Sequence, residues 1–137
     1  DLDFVSYDMT SKVKATLKTV GFLHDSKKYY AHPDCKFFVE FLTPPVSIGN
    51  ELVTTVDKME ADYGMIKLLT PTDCVKDRLA AYFHWDDRQS LDQAVMVSSS
   101  QKIDIKNIEK WANKEGHDEK FKKFKEELEK NDKRTNK

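Results

Sequence analysis

Three acidic residues carry the spacing and surroundings that oxygen-ligand metal chemistry needs. Asp1 and Asp3 stand one residue apart in Asp1-Leu2-Asp3-Phe4-Val5. In an extended strand, residues i and i+2 project to the same face, so the two carboxylates point side by side. Such a pair of hard oxygen donors favours Mg²⁺ or Mn²⁺ over zinc, which prefers nitrogen and sulfur. The third acid is Glu40, alone in the apolar run Phe37-Phe38-Val39-Glu40-Phe41-Leu42. A carboxylate inside such a strand is costly unless it is ligated, paired or at an open edge. Glu40 is therefore either a third metal ligand or a solvent-facing residue of a one-sided sheet, with Phe38 and Leu42 beside it. The D-x-D pair has its own plain alternative, a solvated strand end.

The elements that must position these acids follow from local pattern. A strand over about residues 1–7 leads into a helix with Thr10 as N-cap, Val13, Leu17 and Val20 at helical spacing, and Gly21 as its stop. Residues 28–31 and 35–42 read as strands joined through His32-Pro33-Asp34, and Pro44-Pro45 ends the second. Residues 46–69 read as extended segments, Leu52 to Val56 and Met65 to Leu69 among them. From residue 70 the pattern turns helical: Thr70 caps, Pro71 opens, and Asp73 supplies the acid of a capping-box-like start. Val75, Leu79 and Tyr82 or Phe83 form its apolar stripe. Further helices are expected over about 88–97, from Asp104 to Gly116 with Ile103 and Ile108 as a hydrophobic staple, and over about 118–130 along Phe121, Phe124 and Leu128. The expected plan is α+β, a small mixed sheet followed by a C-terminal helical part. Its divisions are 1–69 for the core, 70–130 for the helices and 131–137 for a disordered tail.

Composition narrows the function classes. A chain of 137 residues is one domain, or a small domain with a helical appendage. Its net charge of −1 gives no overall nucleic-acid signal, and the lysines after residue 119 are nearly balanced by acids. Cys35 and Cys74 form no C-x-x-C and no cluster with a histidine, which argues against zinc and against a disulfide framework. No apolar run reaches the length of a membrane span and nothing resembles a signal peptide, so the expectation is a cytoplasmic protein. His84-Trp85 reads as a packed aromatic beside a hydrogen-bonded histidine rather than a stacking site. Asp86, Asp87, Arg88 and Asp92 read as helix-start charges and surface pairs.

Taken in order, these segments resemble the nucleotidyltransferase superfamily, the polymerase-β-like fold with two carboxylates on one strand and a third on a neighbour. Leu69-Thr70-Pro71-Thr72-Asp73 through Tyr82 resembles the L-(S/T)-P-x-D helix of abortive-infection-type nucleotidyltransferases, including toxins of toxin–antitoxin systems. Asp87 to Ala94 is similar to their R-x-K-D-L-x-D-A segment, with Ser90 where the acid of K-D-L falls. The resemblance covers roughly residues 1–97. It implies transfer of a nucleoside monophosphate from an NTP to an RNA or protein acceptor, with an antitoxin as a further partner. In that scheme Asp1 and Asp3 ligate Mg²⁺ (or Mn²⁺), and Glu40, where the family usually has Asp, binds metal near the attacking oxygen. Two ions about 3.5–4 Å apart would stabilise attacking and leaving oxygens together. Arg78, or Lys76, would neutralise the phosphates. The family's Gly-Ser or Gly-Gly helix start lies upstream of the D-x-D, and the chain, which begins at Asp1, is expected to lack it. The alternative is a catalytically degenerate nucleotidyltransferase fold acting as a binding or assembly module.

Overall fold

The computed structural model describes residues 2–25 and 28–135; Asp1 lies outside them. The chain is α+β, with small sheets first and a helical C-terminal part. It divides into two compact units, residues Asp1–Val46 and Ser47–Lys137.

The first unit contains β1 (Leu2–Val5), α1 (Thr10–Thr19), β2 (Leu23–His24), β3 (Tyr29–Ala31) and β4 (Val39–Leu42). They form a four-stranded mixed sheet in the order β1-β4-β3-β2, with β1 and β4 parallel and the other pairs antiparallel. The α1 crossover explains the parallel pair, since a parallel neighbour cannot be reached by a tight turn. Leu2 and Phe4 pair with Val39 and Phe41, and the Phe4 and Phe41 rings stack at 5.5 Å. Tyr30 and Val39 are buried on that same face. Thr10 is the first helical residue rather than the cap: Met9 takes the cap position with no side-chain hydrogen bond. The second strand expected from the apolar run is shorter than 35–42, because the chain bends at Lys36 and Phe37 before the ladder starts.

The second unit begins with two hairpins, β5 (Ser47–Ile48) with β6 (Glu51–Leu52), and β7 (Val56–Ala61) with β8 (Gly64–Leu69). Helices α2 (Pro71–Trp85), α3 (Arg88–Ser100), α4 (Ile105–Lys114) and α5 (Asp118–Thr135) follow. The capping signals act as the residues indicate. Thr70 Oγ1 accepts from the Asp73 N–H at 3.1 Å, and Asp87 and Asp104 accept from Gln89 N–H and Asn107 N–H, each at 3.0 Å. Each cap satisfies a helix-start donor that has no partner within its own helix. Val75, Leu79, Phe83, Leu91, Ile108, Trp111, Phe121 and Phe124 close one apolar core, and Ile48 joins it. The Trp111 indole N–H donates to the Ile48 carbonyl at 3.2 Å, giving a buried polar atom its partner. Gly49 sits at φ +58 against Glu115, whose carboxylate accepts from the Asn50 N–H at 2.8 Å; a Cβ at Gly49 would meet that carboxyl at 2.7 Å. The last helix continues through residues 131–135, where charge had suggested a disordered end; 136 and 137 lie outside the described residues. Asn131 and Asp132 tie this end to α3: Asn131 donates to the Ser99 hydroxyl at 2.9 Å, and that hydroxyl donates to Asp132 at 3.2 Å. Among the described residues, no helix is long and apolar enough to cross a membrane.

Candidate functional site

Asp3 and Glu40 are direct partners across the parallel β1–β4 pair. In-register neighbours in a sheet share a face, so both carboxylates stand on the face opposite the Tyr30–Val39–Phe41 side. Asp3 is exposed, whereas Glu40 is only 8% exposed. Glu40 owes its burial to a central position, since β4 lies between β1 and β3. Tyr29 faces it across the β3–β4 pair and packs its ring 6.0 Å from that of Phe38.

The buried carboxylate is paired. Lys28 Nζ lies 2.7 Å from Glu40 Oε1 and 5.2 Å from the centre of the Tyr29 ring. The hydrogen bond to Glu40 holds the Lys28 ammonium above its ordinary range, although the lysine itself is exposed. This answers the cost of an acid in an apolar strand: Glu40 is neither a free solvent-facing residue nor an unmet charge. Lys28 was not among the residues singled out from the sequence. The available signal was its place just before the aromatic strand Tyr29–Ala31, but only the register Tyr29↔Glu40 brings it to the acid.

Asp1, the other half of the D-x-D, lies outside the described residues. Among the described residues, no group of three or more His, Cys, Asp or Glu side chains could hold a metal ion. The donors that are described, two carboxylates from adjacent strands, have the hard-oxygen chemistry that suits Mg²⁺ or Mn²⁺.

Lys76 and Arg78 belong to the second unit. Lys76 is buried on α2, with Nζ 2.5 Å from Glu51 of β6 and 3.5 Å from Asp73 one turn earlier. Two carboxylates therefore answer its charge. Arg78 is half-exposed, binds the Asp77 carboxylate through Nε and Nη2, and reaches Gln93 Oε1 of α3 at 3.3 Å. Its geometry ties α2 to α3.

The other charges singled out from the sequence make local pairs. The Ser90 hydroxyl donates to Asp87 at 2.6 Å, which holds the Asp87 carboxyl below its usual range, and Arg88 pairs with Asp92 at 3.2 Å. Trp85 departs from expectation: it is 81% exposed at the end of α2, just before Asp86 turns the chain at φ +52. The neighbouring His84 lies edge-on to His117, ring centres 5.1 Å apart. No family model, no curated protein and no solved structure matches this chain.

Proposed function

We propose that the chain is a metal-dependent nucleotidyltransferase-like protein that transfers a nucleoside monophosphate from an NTP to an RNA or protein acceptor. The observation that supports this reading is the register Asp3↔Glu40, two carboxylates from different segments on one face of a parallel strand pair. Asp1, two residues before Asp3, supplies the third acid of the proposed Mg²⁺ or Mn²⁺ site. When bound, the metal neutralises triphosphate charge and favours deprotonation of the acceptor hydroxyl. The chain's own contribution is positional: β1 and β4 fix the lateral spacing of the acids, and Tyr29 and Phe38 limit water at Glu40. A phosphate role for Lys76 or Arg78 requires exchanging a protein carboxylate for a phosphate. That exchange is harder for Lys76, which is buried between two acids, than for half-exposed Arg78.

A second reading, a degenerate fold serving as a binding or assembly module, is favoured by the Lys28–Glu40 pair. There an intramolecular ammonium occupies the carboxylate that metal chemistry needs. One experiment separates the two: incubation with Mg²⁺ or Mn²⁺ and α-labelled NTPs in the presence of RNA and protein acceptors. Transfer of label that is lost in Asp3→Ala and in Glu40→Gln supports the enzyme. Absence of both labelled product and metal-dependent nucleotide binding, in a folded protein, overturns it.

A further inference from the structure

The β7–β8 hairpin is the longest strand pair in the molecule, and β7 has no strand on its outer side among the described residues. Its side chains are not those of a solvated ribbon. Met59 and Ile66, which pair directly across the hairpin, are 50% and 42% exposed, and Leu68 lies next to them on the same face. On the other face Lys58 stands directly opposite Lys67, and neither forms an ion pair within 4 Å among the described residues. Like charges facing one another across a ladder are destabilising. An open edge, an exposed Met59–Ile66 pair and two directly facing lysines occur together on one hairpin. β7 itself carries Asp57, Lys58 and Glu60, charges of both signs that deter pairing with any strand that does not match them.

The order of residues along β7 shows what would cover it. The stretch Lys58-Met59-Glu60 is self-complementary when two copies run antiparallel about Met59. Each Lys58 then faces the other copy's Glu60, and the two Met59 side chains meet at the axis. Parity is right as well. Ala61 and Gly64 close a two-residue hairpin, which makes them a hydrogen-bonded pair. Alternation then turns the free N–H and C=O groups of Lys58 and Glu60 outward, the pair that must exchange hydrogen bonds in this register.

We propose that two copies of this chain associate edge to edge through β7, antiparallel and centred on Met59, to form a continuous four-stranded sheet. Ile66-Met59-Met59-Ile66 becomes one apolar row across the two copies. Each Lys58 gains an acid beside it, which relieves its opposition to Lys67. The contact is isologous and closes at two copies, so it does not propagate into a fibre.

The test is sedimentation velocity across micromolar to submillimolar concentrations on the whole chain, its charge-reversed variants Lys58→Glu and Glu60→Lys, and the double variant. The expected result is a concentration-dependent dimer. Each single reversal weakens it on the order of tenfold by placing like charges opposite each other twice, and the double exchange restores it. Thermal unfolding of Lys58→Glu is expected at or above the wild-type temperature, because the reversal removes the Lys58–Lys67 opposition within the hairpin. A wild-type chain that stays monomeric throughout overturns the proposal, whatever other protein the hairpin binds. So does a dimer unaffected by the single reversals, or a double variant that folds but remains as weak as the singles.

Discussion

The two units of this chain spend their apolar residues differently. In the second, helices α2 to α5 enclose Leu79, Leu91, Ile108, Trp111 and Phe124 almost completely. In the first, Tyr30 and Val39 are the only buried hydrophobics among the described residues, α1 buries no residue, and Leu2, Phe4 and Val5 each remain about half exposed. The unit with the carboxylates is thus held by ladder hydrogen bonds and ring contacts, whereas the unit with Lys76 and Arg78 is held by a closed core. The contrast extends to charge. Glu40, in the thin unit, pairs with an exposed lysine, while Lys76, in the packed unit, is fixed between two carboxylates. A closely packed interior commits its charges to internal partners, since an unpaired buried charge is the costliest thing it can hold. In the open sheet Asp3 stays exposed, and Glu40 takes a partner that is itself exposed.

The largest expected effect tests the core itself. Phe124→Ala is expected to cost the second unit about 3–5 kcal/mol. Urea unfolding followed by tryptophan fluorescence measures this directly, because Trp85 and Trp111 both lie in that unit. Phe4→Ala, which removes a half-exposed ring from the first unit, is expected to cost roughly 1 kcal/mol there. It should leave the tryptophan transition in place. A large shift of that transition in Phe4→Ala would mean that the units unfold as one.

A smaller effect sharpens the contrast in charge. Glu51→Gln leaves the buried Lys76 ammonium with Asp73 alone, and is expected to destabilise by about 2 kcal/mol, below the full value for breaking a buried pair because Glu51 is partly solvated. Lys76→Met removes the charge instead of its partner, and is expected to be close to neutral or stabilising. If Lys76→Met proved the more damaging of the two, the lysine would be contributing net stability and the desolvation argument would fail.

The smallest effect concerns an exposed network. Hydrogen bonds from Lys130 and Lys123 lower the Glu127 carboxyl from 4.5 to about 2. A carboxyl lowered in the folded state binds fewer protons there than in the unfolded chain, so its contribution is complete above about pH 4.5. It is lost as the pH falls toward about 2. Glu127→Gln should therefore flatten the stability profile within that acid window and leave its slope at neutral pH unchanged. An identical slope in the two proteins below pH 4 would show that the pairs are too well solvated to matter.

Helix starts were legible from local residues because a cap is a contact between near neighbours. Thr70, Asp87 and Asp104 each bond an N–H two or three residues ahead. Thr10 misleads for the same reason, since the chain turns one residue earlier at Met9 and the hydroxyl has no cap to make. Trp85 was read as packed because it follows an apolar stripe, yet a helix exposes whichever residue falls off the buried side. Lys28 and Glu51 were missed altogether. Each meets its partner through strand pairing or a long-range dock, and neither is visible at short range.

The residue order alone determined the α+β plan, the caps of α2 to α4, the apolar faces of α2 to α5 and the isolation of Glu40 in an apolar strand, because all of these depend on periodicity and near neighbours. Tertiary structure decided which charges meet. The parallel β1–β4 register set Asp3 beside Glu40, the β3–β4 register delivered Lys28 to that acid, and the docking of the β5–β6 hairpin on α2 brought Glu51 to Lys76. A one-residue slip in either register would turn these side chains to the opposite face, and only the packing of Tyr30, Val39 and Phe41 selects between the two.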